Sequence, residues 1–205
     1  MIKLRHCLAL LLSLVTICHG LMYFAPARSL EQGQFSFTAG GAFTQHSADY
    51  LIGLGHLAVS HGLTDWLAVQ VQGRTYVTND ETQYHEGGLY SVGYGLKASF
   101  SLAEIPLTFG GTIESGLRYD GNEPIEENRV ANSYTAWQSW GSLFQYGPFY
   151  ASVNVYTNKN RSQTPTTTFS VGIDYPLNDH LNIIVEGAFH AKDCPFLGVG
   201  VELTL

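Results

Sequence analysis

Leu197-Gly198-Val199-Gly200-Val201-Glu202-Leu203-Thr204-Leu205 alternates without a miss. Leu197, Val199, Val201, Leu203 and Leu205 fall on one face, and Gly198, Gly200, Glu202 and Thr204 on the other. Successive side chains of a strand point to opposite faces, so this is one strand with an apolar side and a small or polar side. Its length suits a tilted strand that crosses hydrocarbon, for which roughly 9–11 residues are needed.

The bulk composition agrees with such a strand repeated many times. The 205 residues allow one sizeable domain. Charged residues make up 13%, about half the ~25% of a typical soluble domain. Beyond the N-terminus no run approaches the ~18 consecutive apolar residues of a helical membrane span. A chain poor in charge, with 22 Gly, 12 Tyr and 11 Phe, fits a barrel whose apolar residues are dispersed at alternate positions.

The N-terminus reads as a secretory signal over residues 1–27, leaving residues 28–205 as the barrel. Lys3, Arg5 and His6 precede an apolar core over residues 8–17. Cleavage fits after Gly20, or after Ala27 in the run Ala25-Pro26-Ala27, and the second is preferred. A lipid anchor at Cys18 is disfavoured, because Ile17 stands where a small residue is required. Loss of Lys3 and Arg5 leaves eight basic residues against seventeen acidic, a net charge of −9, which argues against nucleic acid as a partner. Cys7 and Cys18 leave with the signal, so Cys194 has no internal disulfide partner. No Cys/His spacing points to zinc, and no cofactor motif is present.

The same alternation recurs upstream. Residues 35–43 put Phe35, Phe37, Ala39 and Phe43 on one side. Residues 50–60 carry apolar residues in both phases, which leaves their faces open. Residues 62–65 read as a tight turn. Residues 66–77 set Leu67, Val69 and Val71 against Gln70, Gln72 and Arg74. Residues 89–102 set Tyr90, Val92, Tyr94 and Leu96 against Ser91, Gly93, Gly95 and Lys97. Residues 107–119 oppose Phe109, Ile113 and Leu117 to Thr112, Glu114 and Arg118. Residues 134–146 have an open phase, with Trp137 and Trp140 on opposite faces. Residues 149–157, 169–175 and 181–189 alternate again and bring Tyr150, Tyr156, Asp174 and Glu186 to the polar side. With the last strand this makes ten, eight being the alternative count. The linkers alternate short and long. Bacterial barrels have short periplasmic turns and longer outer loops, so both termini are predicted to be periplasmic.

The closing strand resembles that of bacterial outer-membrane β-barrels, a family that usually ends in an aromatic residue where this chain has Leu205. Gly62-Leu63-Thr64-Asp65-Trp66-Leu67 and Pro176-Leu177-Asn178-Asp179-His180-Leu181 share a Leu-[Thr/Asn]-Asp-x-Leu pattern at two short turns. The first form resembles hairpin turns of outer-membrane transporter and porin families. The resemblance implies an all-β fold, a single antiparallel transmembrane barrel in the bacterial outer membrane. Its implied partners are outer-membrane lipid, lipopolysaccharide and, through the C-terminal strand, the barrel-assembly machinery. The oligomeric state stays open.

Alternation does not say which face meets lipid, since a soluble calyx puts its oil inside. The polar face decides it. Gly, Ser, Thr, Asn and Gln dominate there, with isolated charges at Arg74, Lys97, Glu114, Arg118, Asp174, Glu186 and Glu202. That is too sparse for a solvated surface and apt for a narrow lumen. These charges read first as a paired network bracing the barrel, and second as a selectivity ring. Inward Gly40, Gly93, Gly95, Gly110, Gly116, Gly172, Gly198 and Gly200 leave either a thin gap or room for Tyr150 and Tyr156.

Catalysis is not expected. Nucleophilic chemistry needs a base and a nucleophile within hydrogen-bond reach. His46, Ser47 and Asp49 share a loop, and Ser60-His61 adjoin a turn, but polar loops commonly hold such residues. The acidic loops, with Asp80, Glu81 and Glu86 in one and Asp120, Glu123, Glu126 and Glu127 in another, lack Ca²⁺-loop spacing and read as solvated loops. The sequence therefore points to an integral envelope barrel, structural or passing small solutes slowly. The alternatives are a substrate-selective channel, a lipid-modifying enzyme and a periplasmic calyx for a hydrophobic ligand.

Overall fold

Ten antiparallel strands close on themselves in a computed structural model that describes residues 24, 26–45, 51–78, 89–102, 105–120, 133–158, 165–189 and 196–205. In chain order the strands are β1 (Phe35–Gln45), β2 (Leu51–Thr64), β3 (Leu67–Thr78), β4 (Leu89–Leu102), β5 (Leu107–Asp120), β6 (Ser133–Tyr146), β7 (Phe149–Asn158), β8 (Thr166–Pro176), β9 (Leu181–Phe189) and β10 (Phe196–Thr204). Each strand pairs with its neighbours in sequence, and β1 meets β10 at the seam. There Ser36 lies opposite Thr204 and Phe43 opposite Leu197. At the end of the seam Phe35 and Leu205 exchange both backbone hydrogen bonds, at 2.9 and 2.8 Å.

Both termini of the barrel lie at the end that holds the four short connections. The two turns that share a sequence pattern share a mechanism. Thr64 Oγ1 accepts from the backbone N–H of Trp66 and Leu67, at 3.4 and 3.1 Å. Asn178 Oδ1 does the same for His180 and Leu181, at 2.9 Å each. Side-chain oxygens that bond the backbone two and three residues on stabilise a reversal. Thr64 and Asn178 occupy the same place in the repeated pattern, so the pattern is a turn device.

One turn is displaced from its expected place. β2 continues to Thr64, and the reversal falls on Asp65 and Trp66 rather than on residues 62–65. The chain ahead of β1 explains this. Gly62 N–H donates to Gln34 O and Gly62 O accepts from Gly33 N, both at 2.9 Å, so the ladder extends past the point where β1 begins. A register shift between Gly62 and Thr64 absorbs the mismatch.

The structure assigns the two faces the sequence left open. In β2, Leu54, His56, Ala58 and Ser60 are buried in the lumen, while Leu57 and Val59 are exposed. In β6, Trp137, Ser139, Leu143 and Gln145 point in, and Trp140 and Phe144 point out. Five of the inward glycines make room for large rings, and do not leave an open gap beside them. Gly93 and Gly116 face Trp137, Gly172 faces Tyr150, and Gly40 and Gly200 face Phe24. A Cβ on Gly40 would approach Phe24 Cε2 to 2.8 Å.

These pairings predict strict size complementarity across the lumen. Gly172→Val forces its side chain into the Tyr150 ring, and overpacking of this kind costs about 1–3 kcal/mol. The midpoint of urea unfolding in detergent micelles is expected to fall accordingly. Adding Tyr150→Ala is expected to recover part of the loss; a double variant weaker than both single variants would contradict the complementarity.

Candidate functional site

The lumen is where the chain concentrates buried polarity. Arg74, Glu114, Asp174, Glu186 and Glu202 are all buried on the inner face. Lys97, half-buried, shares that face. The Arg118 side chain lies outside the described residues, as do His46, Ser47, Asp49, the acidic-loop side chains and Cys194.

The charges fall into separate groups. Toward the middle of the barrel Arg74 donates from Nη2 to Gln72 Oε1 at 2.6 Å and stands 3.9 Å from Glu114 Oε2. Ser139 Oγ donates to that same Glu114 oxygen at 3.3 Å. The Arg74 guanidinium also lies 6.0 Å from the Trp137 ring centre, at the outer limit of a cation–π contact. Trp137 in turn stacks on Tyr156, with centroids 5.7 Å apart. On the other wall Tyr150 OH donates to Glu186 Oε2 at 2.6 Å. Register explains the wall beside Arg74: Gly40, His56 and Arg74 are successive cross-strand partners on β1, β2 and β3.

The second group gathers at the short-turn end, and a residue outside the strands completes it. The segment before β1 enters the lumen. Phe24 and Ala27 are buried there, and Lys97 Nζ donates to Pro26 O at 2.6 Å. Arg28 N–H donates to Gln145 Oε1 at 3.0 Å. Arg28 Nη2 lies 2.5 Å from Glu202 Oε2, and Nε lies 3.4 Å from Asp174 Oδ2. Asp174 is also held by the barrel itself, accepting from Asn182 Nδ2 at 2.6 Å and from Gln145 Nε2 at 3.3 Å.

Sequence reasoning missed Arg28, Phe24, Gln145 and His56 as lumen residues, and Asn182 as a partner of the lumen charges. Gln145 lay on a strand of open phase, and so did His56. Asn182 was legible as inward but carried no charge to mark it. Phe24 and Arg28 fell within or beside the stretch read as a signal, where nothing in the local pattern foretells a place inside a barrel.

The arrangement leaves little room. Two cavities at this end, one lined by Arg28, Ser99 and Glu202 and the other by Phe24, His56 and Lys97, hold about 20 Å³ each. That is space for a single water apiece. Ser60 and His61 do not form a catalytic pair. Ser60 is buried in the lumen; His61 stacks on Phe35 with centroids 4.2 Å apart and sets Nδ1 3.2 Å from Gln34 O. Among the described residues, no three His, Cys, Asp or Glu side chains gather to hold a metal.

No family model matches the chain, and no curated protein is similar to it in sequence. Several solved β-barrels are similar to it in structure. The N-terminal β-barrel domain of Pseudomonas aeruginosa OprF is 11% identical, with 86% of this chain and 100% of that one covered at a TM-score of 0.41. The outer membrane phospholipase A of Escherichia coli is 9% identical, with 85% and 93% covered at a TM-score of 0.40. A de novo designed transmembrane β-barrel is 11% identical, with 86% and 99% covered at 0.38. Likeness at this level carries no functional information.

The central ion pair generates a prediction. Glu114→Ala removes the carboxylate beside the buried Arg74 guanidinium, and breaking a buried pair from one side costs up to about 3–5 kcal/mol. Glu114→Gln keeps the acceptor for Ser139 and is expected to cost less. Unfolding midpoints of the two variants in micelles, measured side by side, check the order.

Proposed function

We propose that this chain is an integral protein of the bacterial outer membrane, with its termini and short turns on the periplasmic side and a narrow polar lumen that is structural or passes small solutes slowly. One observation carries the reading. The apolar side chains form an outward belt while the polar and charged ones are buried within. Val92, Ile113, Leu117 and Val199 are more than half exposed, whereas Glu186 and Ser170 are wholly buried. A monomer in water rarely shows contiguous apolar surface beyond a few hundred Å², and a calyx would reverse the two faces.

Aromatic residues support a membrane setting. At the short-turn end Trp66 stacks on Phe100 at 5.7 Å, and Phe109 meets Phe144 edge-on at 5.6 Å. Tyr146, Phe149 and Tyr175 extend this girdle on the outer face. Such rings sit at the membrane–water boundary of outer-membrane barrels. In that membrane the outer belt contacts lipid and lipopolysaccharide, and residues 197–205 supply the strand offered to the assembly machinery.

A structural or slowly conducting role follows from the filling. Eight-stranded barrels are just filled by side chains, and 16–18 strands leave a water channel. Ten strands lie near the filled end, and here Trp137, Tyr150 and Phe24 occupy the space left by glycines. A substrate-selective channel needs some of that filling to move. A lipid-modifying enzyme needs a nucleophile beside a base, which the divided Ser60 and His61 do not supply.

Fractionation and gel mobility test the reading. The protein is expected in the outer-membrane fraction, with a shift in mobility on boiling that marks a closed barrel. Val199→Arg, on the outer face, is expected to cost roughly 2–4 kcal/mol if it faces mid-bilayer lipid. If that face meets water instead, the same change stays within about 0.5 kcal/mol, and the calyx reading replaces this one.

A further inference from the structure

The chain's own N-terminal segment occupies the short-turn end of the lumen as a ligand occupies a site. The site is built by the barrel. Asn182 on the adjacent β9 and Gln145 on β6 both donate to the Asp174 carboxylate. Glu202 stands beside it on β10, and Arg28 bridges the two carboxylates. The Arg28 side chain is 29% exposed, while those of Asp174 and Glu202 are 2% and 8% exposed. The cation is therefore reachable from outside, and the anions are covered by it.

Phe24 anchors the far end of the segment. It fills the space over Gly40 and Gly200 and tilts against His56, with ring centroids 5.7 Å apart. Its φ of 43° lies in the left-handed region, which a bulky residue holds only when its surroundings impose it. Between these anchors Lys97 donates to Pro26 O. Cleavage after Ala27 would remove Phe24 and Pro26 together; cleavage after Gly20 retains both.

We propose that Phe24 and residues 26–30 are a resident strap, kept in the mature protein by cleavage after Gly20. The strap sets Arg28 into a guanidinium site formed by the carboxylates of Asp174 and Glu202, while Gln145 accepts from the Arg28 backbone N–H; its departure opens a cation-selective lumen whose site takes guanidinium-bearing solutes. This rests on the membrane-barrel reading above. The selectivity follows from charge. Without Arg28, the described strand residues at this level bring two carboxylates against the one ammonium of Lys97. A narrow passage lined by uncompensated carboxylates concentrates cations and excludes anions.

Three measurements on the full-length protein, purified from outer membranes, test this. Intact mass is expected to give a chain beginning at Leu21; one beginning at Arg28 overturns the strap. In planar bilayers bathed in potassium chloride, Phe24→Ala/Arg28→Ala is expected to conduct at least ten times more than the parent, with a reversal potential favouring K⁺. Adding Asp174→Asn/Glu202→Gln is expected to abolish that preference. A variant that still shifts on boiling yet conducts like the parent overturns the proposal and leaves the barrel reading intact. Loss of the shift in the parent itself would instead remove the barrel reading.

Should the double variant fail to fold, Ser29→Cys in a Cys194→Ser background keeps the question open to a test. Thiol labelling by a water-soluble reagent is expected to speed up in millimolar guanidinium chloride, relative to sodium chloride at equal ionic strength. Equal rates overturn the proposal.

Discussion

Closure of the β1–β10 seam is the constraint on which everything else depends. In hydrocarbon an unpaired backbone N–H or C=O costs several kcal/mol, and only a helix or a closed barrel avoids that cost. Here the last strand finds the first over the register from Ser36–Thr204 to Phe43–Leu197, and Phe35 and Leu205 finish the seam. With no edge left, the side chains of every strand are divided between the outer face and the lumen. A slip of one residue would reverse the division, moving charges outward and Leu and Val inward. The register is thus held by hydrogen bonds and by the two-faced chemistry of each strand together.

The closed wall creates a second problem, which is how to fill its interior. A lumen lined by polar side chains must satisfy them without bulk water, since unpaired buried charges are costly. The chain solves this with local partners: Arg74 with Gln72 and Glu114, Tyr150 with Glu186, and Ser152 with Ser170 at 2.7 Å. Volume is filled by rings set over glycines. Trp137 over Gly93 and Gly116, and Tyr150 over Gly172, make the barrel wall and its contents interlock across strands. At the short-turn end the segment before β1 supplies Arg28 to the carboxylates of Asp174 and Glu202.

This division of labour also explains how far each residue's role was legible. Strands with a single apolar phase, such as residues 89–102 and 197–205, announced both their existence and their faces. β2 did not, because Leu54 and Ala58 on its inner face are as apolar as Leu57 and Val59 on its outer face. Only pairing with β1 and β3 decides that His56 points inward. β6 was similar, since Trp137 and Trp140 are the same residue with opposite fates. The glycines were legible as inward, but which ring each one admits depends on neighbours far away in the chain. Gly172 and Tyr150 meet because β7 and β8 pair; Gly93 and Trp137 meet across the intervening β5.

The sequence by itself determined the alternating strands, the contrasting chemistry of their two faces and the two Leu-[Thr/Asn]-Asp-x-Leu turns. All three are short-range properties: a period of two along the backbone, and a side-chain oxygen within reach of the next N–H groups. Tertiary structure alone decided which charges meet. Arg74 and Glu114 lie on different strands, and Arg28 reaches Asp174 and Glu202 only because closure brings β8 and β10 around to the end where the chain enters. Ion pairing depends on distance in space, and in a barrel that distance is set by register and closure, which no local pattern encodes.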